Sequence, residues 1–228
     1  FQNRAEVGLN TSRTWYDRED VDVVLDVPNS AIAFAVANLA REKNKVAIFT
    51  GAASSDLTGR ACGPNHLHWV YDTWSQAYAT ATALVQEGGD TWYFITADYA
   101  FGHAVERDTG NFVRAAGGRV LGSGRYPFPQ TTDFSAQIVQ ARASGAKVLG
   151  LANGGSDIAN CVKQAAEFGL VRAGMRIAAP LILLPDIHAI GLQASQGLIA
   201  ADTFYWDQDE ASRAFTRRFQ PQFRNIAP

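Results

Sequence analysis

Residues 21–40 read VDVVLDVPNSAIAFAVANLA, and the way this stretch divides decides the fold class. Val21, Val23, Val24, Leu25 and Val27 form an almost continuous apolar run, mostly β-branched, as in a strand buried on both faces of a sheet. Pro28, Asn29 and Ser30 then break the strand. From Ala31 to Ala40 small and apolar residues follow without glycine or proline, which suits a helix packed closely on a sheet. Asn and Ser are good N-caps, and a helix start presents free backbone N–H groups at the positive end of the helix dipole. Such a turn can hold a carboxylate, although a residue that merely caps its own helix explains any single turn equally well.

The same device recurs along the chain. Lys45–Thr50 reads as a second buried strand, and it ends in Gly51-Ala52-Ala53-Ser54-Ser55. Thr91–Ala97 is a strand followed by Asp98-Tyr99-Ala100-Phe101-Gly102, and Lys147–Ala152 is a strand followed by Asn153-Gly154-Gly155-Ser156-Asp157. Further strands are expected at 119–126, ended by Pro127 and Pro129, and at 197–205, with a short strand or crossing segment at 67–71. Helices are expected at 3–18, with Val7, Trp15 and Tyr16 as buried positions, and at 73–87, closed by Gly88-Gly89. Others run to about 116, from Asp133 to 144, to about 168 and from Asp209 to 219. About seven strands alternating with helices imply parallel sheets covered on both sides. In open sheets of this kind ligands bind beyond the carboxyl ends of the strands.

Composition narrows the function. The 228 residues are 47% apolar and 18% charged with a net charge of −2, an ordinary globular balance without the basic run that a nucleic-acid partner would require. No apolar stretch approaches the roughly 20 residues that cross a bilayer, and no signal-peptide pattern stands at Phe1. Cys62 and Cys161 lack zinc-site spacing, and either one disulfide or two inert thiols would fit them. His66 and His68 share a strand face without a third ligand, and His103 and His188 stand alone; hydrogen-bonded structural roles suit all four. Dinucleotide, phosphate-loop and nucleophile-elbow motifs are absent. No metal, cofactor or catalytic residue is expected, and the chain does not read as an enzyme.

The runs at 90–123 (DTWYFITADYAFGHAVERDTGNFVRAAGGRVLGS), 131–155 (TTDFSAQIVQARASGAKVLGLANGG) and 163–170 (KQAAEFGL), with VDVVLDVPNSA and KVAIFTGAASSDLTG, resemble a known family. They look like the type I periplasmic solute-binding proteins of branched-chain amino-acid ABC transporters, and within them the subgroup associated with aromatic carboxylates. The resemblance implies an α/β fold of two doubly wound lobes with parallel sheets. Residues 1–69 would be part of lobe one, 70–205 lobe two, and 206–228 the return to lobe one. Lobe one is expected to be incomplete, because the chain starts past the family's first strands and stops before its third crossing. Carboxylate-binding positions of lobe one fall on Asn29, Ser30, Ala52, Ala53 and Ser54, with Tyr71 and Asp72 at the crossing. Those of lobe two fall on Tyr99, Phe101 and Asn153, and Asp186 lies near a further family contact. Amino-acid-binding members place a carboxylate in lobe two against the ligand's ammonium group, and no well-aligned equivalent is found here, which fits a ligand without an amine. The implied protein is a monomeric periplasmic component of an ABC importer, with a membrane permease as partner and a small carboxylate as cargo. A ligand-sensing receptor domain on the same fold is the alternative.

Overall fold

The computed structural model describes residues 2–223. Strand β4 (Thr91–Ala97, TWYFITA) is rich in apolar residues and buried at every position but the half-buried Tyr93, so it takes the centre of a sheet with both faces covered. Its neighbours are β5 (Arg119–Tyr126) on one side and β6 (Val148–Ala152) on the other, with β7 (Arg176–Ala179) and β8 (Leu198–Ala200) beyond β6. Every neighbouring pair is parallel. Trp92 and Phe94 pack on one face with Leu84 of α3 (Thr73–Gln86) and Val105 of α4 (Ala100–Ala115). Ile95 and Ala97 pack on the other with Ile138 of α5 (Ser135–Ala143) and Ile158 of α6 (Ser156–Glu167). This two-residue alternation is what a strand between two helical layers requires. The chain leaves β4 toward β5 and then returns to β6 on the opposite side, so the strand order reverses at β4. The carboxyl ends of β4 and β6 therefore flank a topological switch point.

A second, three-stranded parallel sheet has the order β1 (Val23–Leu25), β2 (Val46–Phe49), β3 (His66–His68). Helices α1 (Ala5–Arg18) and α2 (Ser30–Lys43) cover one face, with Tyr16, Val24, Ile32, Val36, Ala47 and Phe49 in the core. Here the sequence reading needs correcting. The 21–27 run yields only three strand residues, and burial alternates: Val24 is 3% exposed whereas Val23 and Leu25 are 42% and 61% exposed. Val46 and Leu67 are exposed too. Both helices lie on the same side, and nothing among the described residues covers the other. Trp15, expected inside, is exposed, while Tyr16 is buried and its hydroxyl donates to the Val46 carbonyl at 2.8 Å.

The expected strand at 197–205 shortens to Leu198–Ala200. Asp202 stops it, since its carboxylate accepts from the amides of Thr203 (2.7 Å) and Phe204 (3.4 Å) and turns the chain locally. Two further helices, α7 (Leu184–Ile190) and α8 (Glu210–Phe219), complete the described residues together with short 3₁₀ turns. Cys62 is exposed, Cys161 is buried, and both are free, which closes the disulfide alternative. No helix among the described residues is long and apolar enough to cross a membrane.

Candidate ligand-binding cleft

Each wall of the candidate site is a strand-to-helix turn. In the β1–α2 turn Asn29 is the N-cap, its side-chain oxygen accepting from the amides of Ala31 (2.9 Å) and Ile32 (3.2 Å). Ser30 does something else: its buried hydroxyl accepts from the Ser54 amide at 3.3 Å and so ties the first turn to the second. The turn after β2 is fixed from below by the two histidines of β3. His66 Nε2 lies 2.8 Å from the Leu57 carbonyl oxygen and His68 Nε2 lies 2.7 Å from that of Ala52.

On the five-stranded unit, Tyr99 is the N-cap residue of α4 without a side-chain cap bond, and its ring stacks on Phe128. Gly102 lets this helix start sit directly over the sheet, for a Cβ there would stand 2.1 Å from the Ala97 carbonyl oxygen. Gly155, at φ 60° and ψ −136°, begins α6 in a conformation that in practice only glycine adopts.

These turns enclose a cavity of about 330 Å³. Of the residues singled out from the sequence, Asn29, Ala53, Tyr71, Tyr99, Phe101 and Asp186 line it. Ser30, Ala52, Ser54 and Asn153 are buried at 2% exposure or less and do not reach its wall. Asp72 caps α3 instead, accepting from the Ser75 amide at 2.7 Å. Pro28, Gly51, Gly154, Gly155 and Ser156 also line it and belong to turns marked in the sequence without being named as contacts, whereas Asn3, Phe128 and Leu181–Leu183 were missed. Phe128 carried a usable signal, since it stands two residues past the carboxyl end of a strand.

The electrostatics of the cavity are unusual in one respect. Among the described residues no lysine, arginine or histidine lines it, and Asp186 is the only charged side chain that does. The N-cap residues of four helices line it instead: Asn29 of α2, Tyr99 of α4, Gly155 of α6 and Leu183 of the short α7. Asn29 occupies two of the α2 amides, so the starts of α4 and α6, which carry no side-chain cap, are the positive dipole ends that can hold an anion without a cation. Asp186 is held by its own turn, its carboxylate accepting from the Leu183 amide at 3.0 Å.

Burial pushes the Tyr99 phenol far above its ordinary range, with the nearby Asp157 adding to the shift, so Tyr99 remains a neutral hydrogen-bond donor. Burial, then Asp202 and Asp186, likewise raise Tyr71. Behind the wall the Tyr126 hydroxyl donates to Asp157 at 2.8 Å, and the Asn153 side-chain amide lies 3.2 Å from the Cys161 sulfur. No group of three His, Cys, Asp or Glu that could hold a metal exists among the described residues.

The whole chain, residues 1–228, matches the family described as periplasmic binding protein. The chain belongs to this family. A periplasmic binding protein from Burkholderia mallei shares 43% identity with it at a TM-score of 0.92, over 100% of this chain and 60% of that one. A branched-chain amino-acid ABC transporter periplasmic ligand-binding protein from Burkholderia xenovorans LB400 shares 34% at 0.80, over 99% of this chain and 60% of that one. An ABC transporter solute-binding protein from R. palustris, in complex with benzoate, has the same fold at 21% identity and a TM-score of 0.88, over 99% of this chain and 62% of that one. This periplasmic binding protein thus spans about 60% of the length of its solved relatives. No curated protein matches it at the level required.

Proposed function

We propose that this protein is the extracytoplasmic solute-binding component of an ABC importer, acting in the periplasm with a membrane permease as partner. Residues 1–69 and 206–228 would belong to one lobe and 70–205 to the other, with a small carboxylate held between them. The observation that carries this reading is the meeting of four helix N-termini, α4 and α6 among them without side-chain caps, at a cavity with no cationic side chain among the described residues. Charge-assisted hydrogen bonds from backbone amides suit a carboxylate, and nothing in the cavity is arranged for covalent chemistry.

The side walls favour an aromatic acid. Tyr71, Tyr99, Phe101 and Phe128 present rings to the cavity, enough apolar surface for a ligand of benzoate size. Solved proteins of the same fold bind benzoate and 4-hydroxybenzoate, which supports the reading by analogy only, at 21% identity. One observation favours an α-amino acid instead: Asp186 lines the cavity and offers a carboxylate to an ammonium group.

A thermal-shift panel of benzoate, 4-hydroxybenzoate and leucine on the full-length protein tests the proposal. A bound ligand at a hundredfold excess over its dissociation constant adds about 2.7 kcal/mol of stability, a readily measured shift. Stabilisation by the benzoates alone supports the aromatic acid, by leucine alone the amino acid. A well-folded protein indifferent to every small carboxylate contradicts both.

A further inference from the structure

The turn that lines the cleft after β2 is fastened to the five-stranded unit by a cluster of charges outside the cavity. Asp108 of α4 is 4% exposed, and one of its carboxylate oxygens accepts from the hydroxyls of Ser55 and Thr73, each at 2.6 Å. Its other oxygen accepts from the Arg107 Nε at 2.9 Å. The same guanidinium reaches across to the three-stranded unit, donating to Asp56 at 2.9 Å and to the Ser55 hydroxyl at 3.0 Å. Arg60 donates to Asp56 from the far side at 2.7 Å. Thr73, where α3 begins, closes the ring: its amide donates to the Ala53 carbonyl and its hydroxyl accepts from the Ser55 amide.

Two arginines and two aspartates balance in charge, and every bond between residues 53–56 and residues 73, 107 and 108 runs from one unit to the other. The apolar cores of the two units are otherwise separate, Ala53 being the residue of this turn that enters the core beneath α3 and α4. An apolar contact tolerates sliding, whereas several charge-assisted bonds converging from one guanidinium and one carboxylate fix orientation as well as distance.

We propose that Arg107 and Asp108 are positioning residues that clamp the cleft-lining turn to α4 and thereby set the separation of the two cleft walls before ligand arrives. This rests on the reading of the cavity as a cleft between two lobes. The role differs from catalysis or ligand contact, for neither side chain lines the cavity. Arg107 acts through Ser55 and Asp56, next to Ala53 of the wall, and Asp108 acts through Thr73 and Ser55.

The test is a distance measurement on ligand-free, full-length protein, so its outcome does not depend on which solute is bound. Asn10→Cys and Lys163→Cys place spin labels on exposed positions of α1 and α6, in a Cys62→Ser background that leaves Cys161 buried. Double electron–electron resonance is then compared for the parent, Arg107→Ala and Arg107→Lys, with Asp108→Asn as the milder change should Arg107→Ala fail to fold. The expected result is a narrow distribution in the parent that broadens and moves to longer separations in Arg107→Ala and Asp108→Asn, with partial return in Arg107→Lys. A merely structural cluster would lower the melting temperature and leave the distribution of the folded protein unmoved, and that result overturns the proposal.

Discussion

Tyr99 and Phe128 lie face to face, their ring centroids 4.1 Å apart and their planes 11° from parallel. One ring starts α4 and the other follows β5, so the stack joins the carboxyl ends of two adjacent strands at the cleft. A ring pair of this kind contributes about 0.5–1.5 kcal/mol beyond the area it buries. Phe128→Ala is therefore expected to weaken an aromatic acid about tenfold, or roughly 1.4 kcal/mol, as Tyr99 loses its support and the cleft an apolar wall. Titration calorimetry of the variant reads the loss, and unchanged affinity would remove Phe128 from the site.

Asn29 separates capping from binding. Asn29→Ala removes the acceptor for two α2 amides and should cost about 1 kcal/mol of stability, seen in chemical denaturation. Asn29→Asp keeps a good cap and favours the helix dipole, so stability should hold. It also places a negative charge on the cavity wall, and carboxylate affinity should fall at least tenfold. A variant that keeps both stability and affinity would show that no anion approaches α2.

The alternating architecture could be read from the sequence because β4, β5 and their flanking helices are long, strongly patterned and bounded by glycine pairs. The first sheet was harder. A run such as VDVVLDV looks the same whether one face or two are covered, and only the placement of α1 and α2 on a single side reveals Leu25 as exposed. The site was legible in part. Asn29, Ala53 and Tyr99 line the candidate cavity at strand ends, whereas the Ser30 hydroxyl accepts from the Ser54 amide and the Ser54 hydroxyl caps its own 3₁₀ turn, an arrangement that depends on how two turns meet in space. The clamp was not legible at all. Arg107 and Asp108 acquire their partners only where the turn after β2 is laid against them, which no pattern within α4 announces.

Two buried acids should shape the acid limb of the stability curve in opposite ways. Burial, only partly offset by hydrogen bonds from Tyr126 and Ser156, raises Asp157 above its ordinary 3.8. The folded state then binds that proton more tightly than the unfolded one, so this group adds stability as pH falls through its raised value toward 3.8. For Asp56 burial also acts upward, but the bonds from Arg107 and Arg60 outweigh it and hold the carboxyl below 3.8. Its contribution is present above 3.8 and is lost as pH falls below that through the folded value. Melting temperatures against pH should show Asp157→Asn flattening the upper window and Asp56→Asn the lower one. Identical profiles for both variants and the parent would remove these groups from the acid response.

Thiol chemistry gives an independent check of the packing. Cys62 is exposed, while Cys161 is fully buried and its thiol is pushed strongly upward by that burial. Ellman titration of the native protein should therefore label one thiol quickly, and the second only after denaturation. Rapid reaction of both would mean that α6 does not pack on the five-stranded sheet as described.

The central claim is that the cleft holds an anion by helix N-termini alone. Titration calorimetry of the acid returned by the ligand panel against its own carboxamide tests this most directly, because the two molecules share a shape and differ in charge. Binding of the acid at least a hundredfold tighter than the amide, a difference of about 2.7 kcal/mol, is the expected result for a site that makes charge-assisted bonds to a carboxylate. Equal affinity for acid and amide would contradict the account.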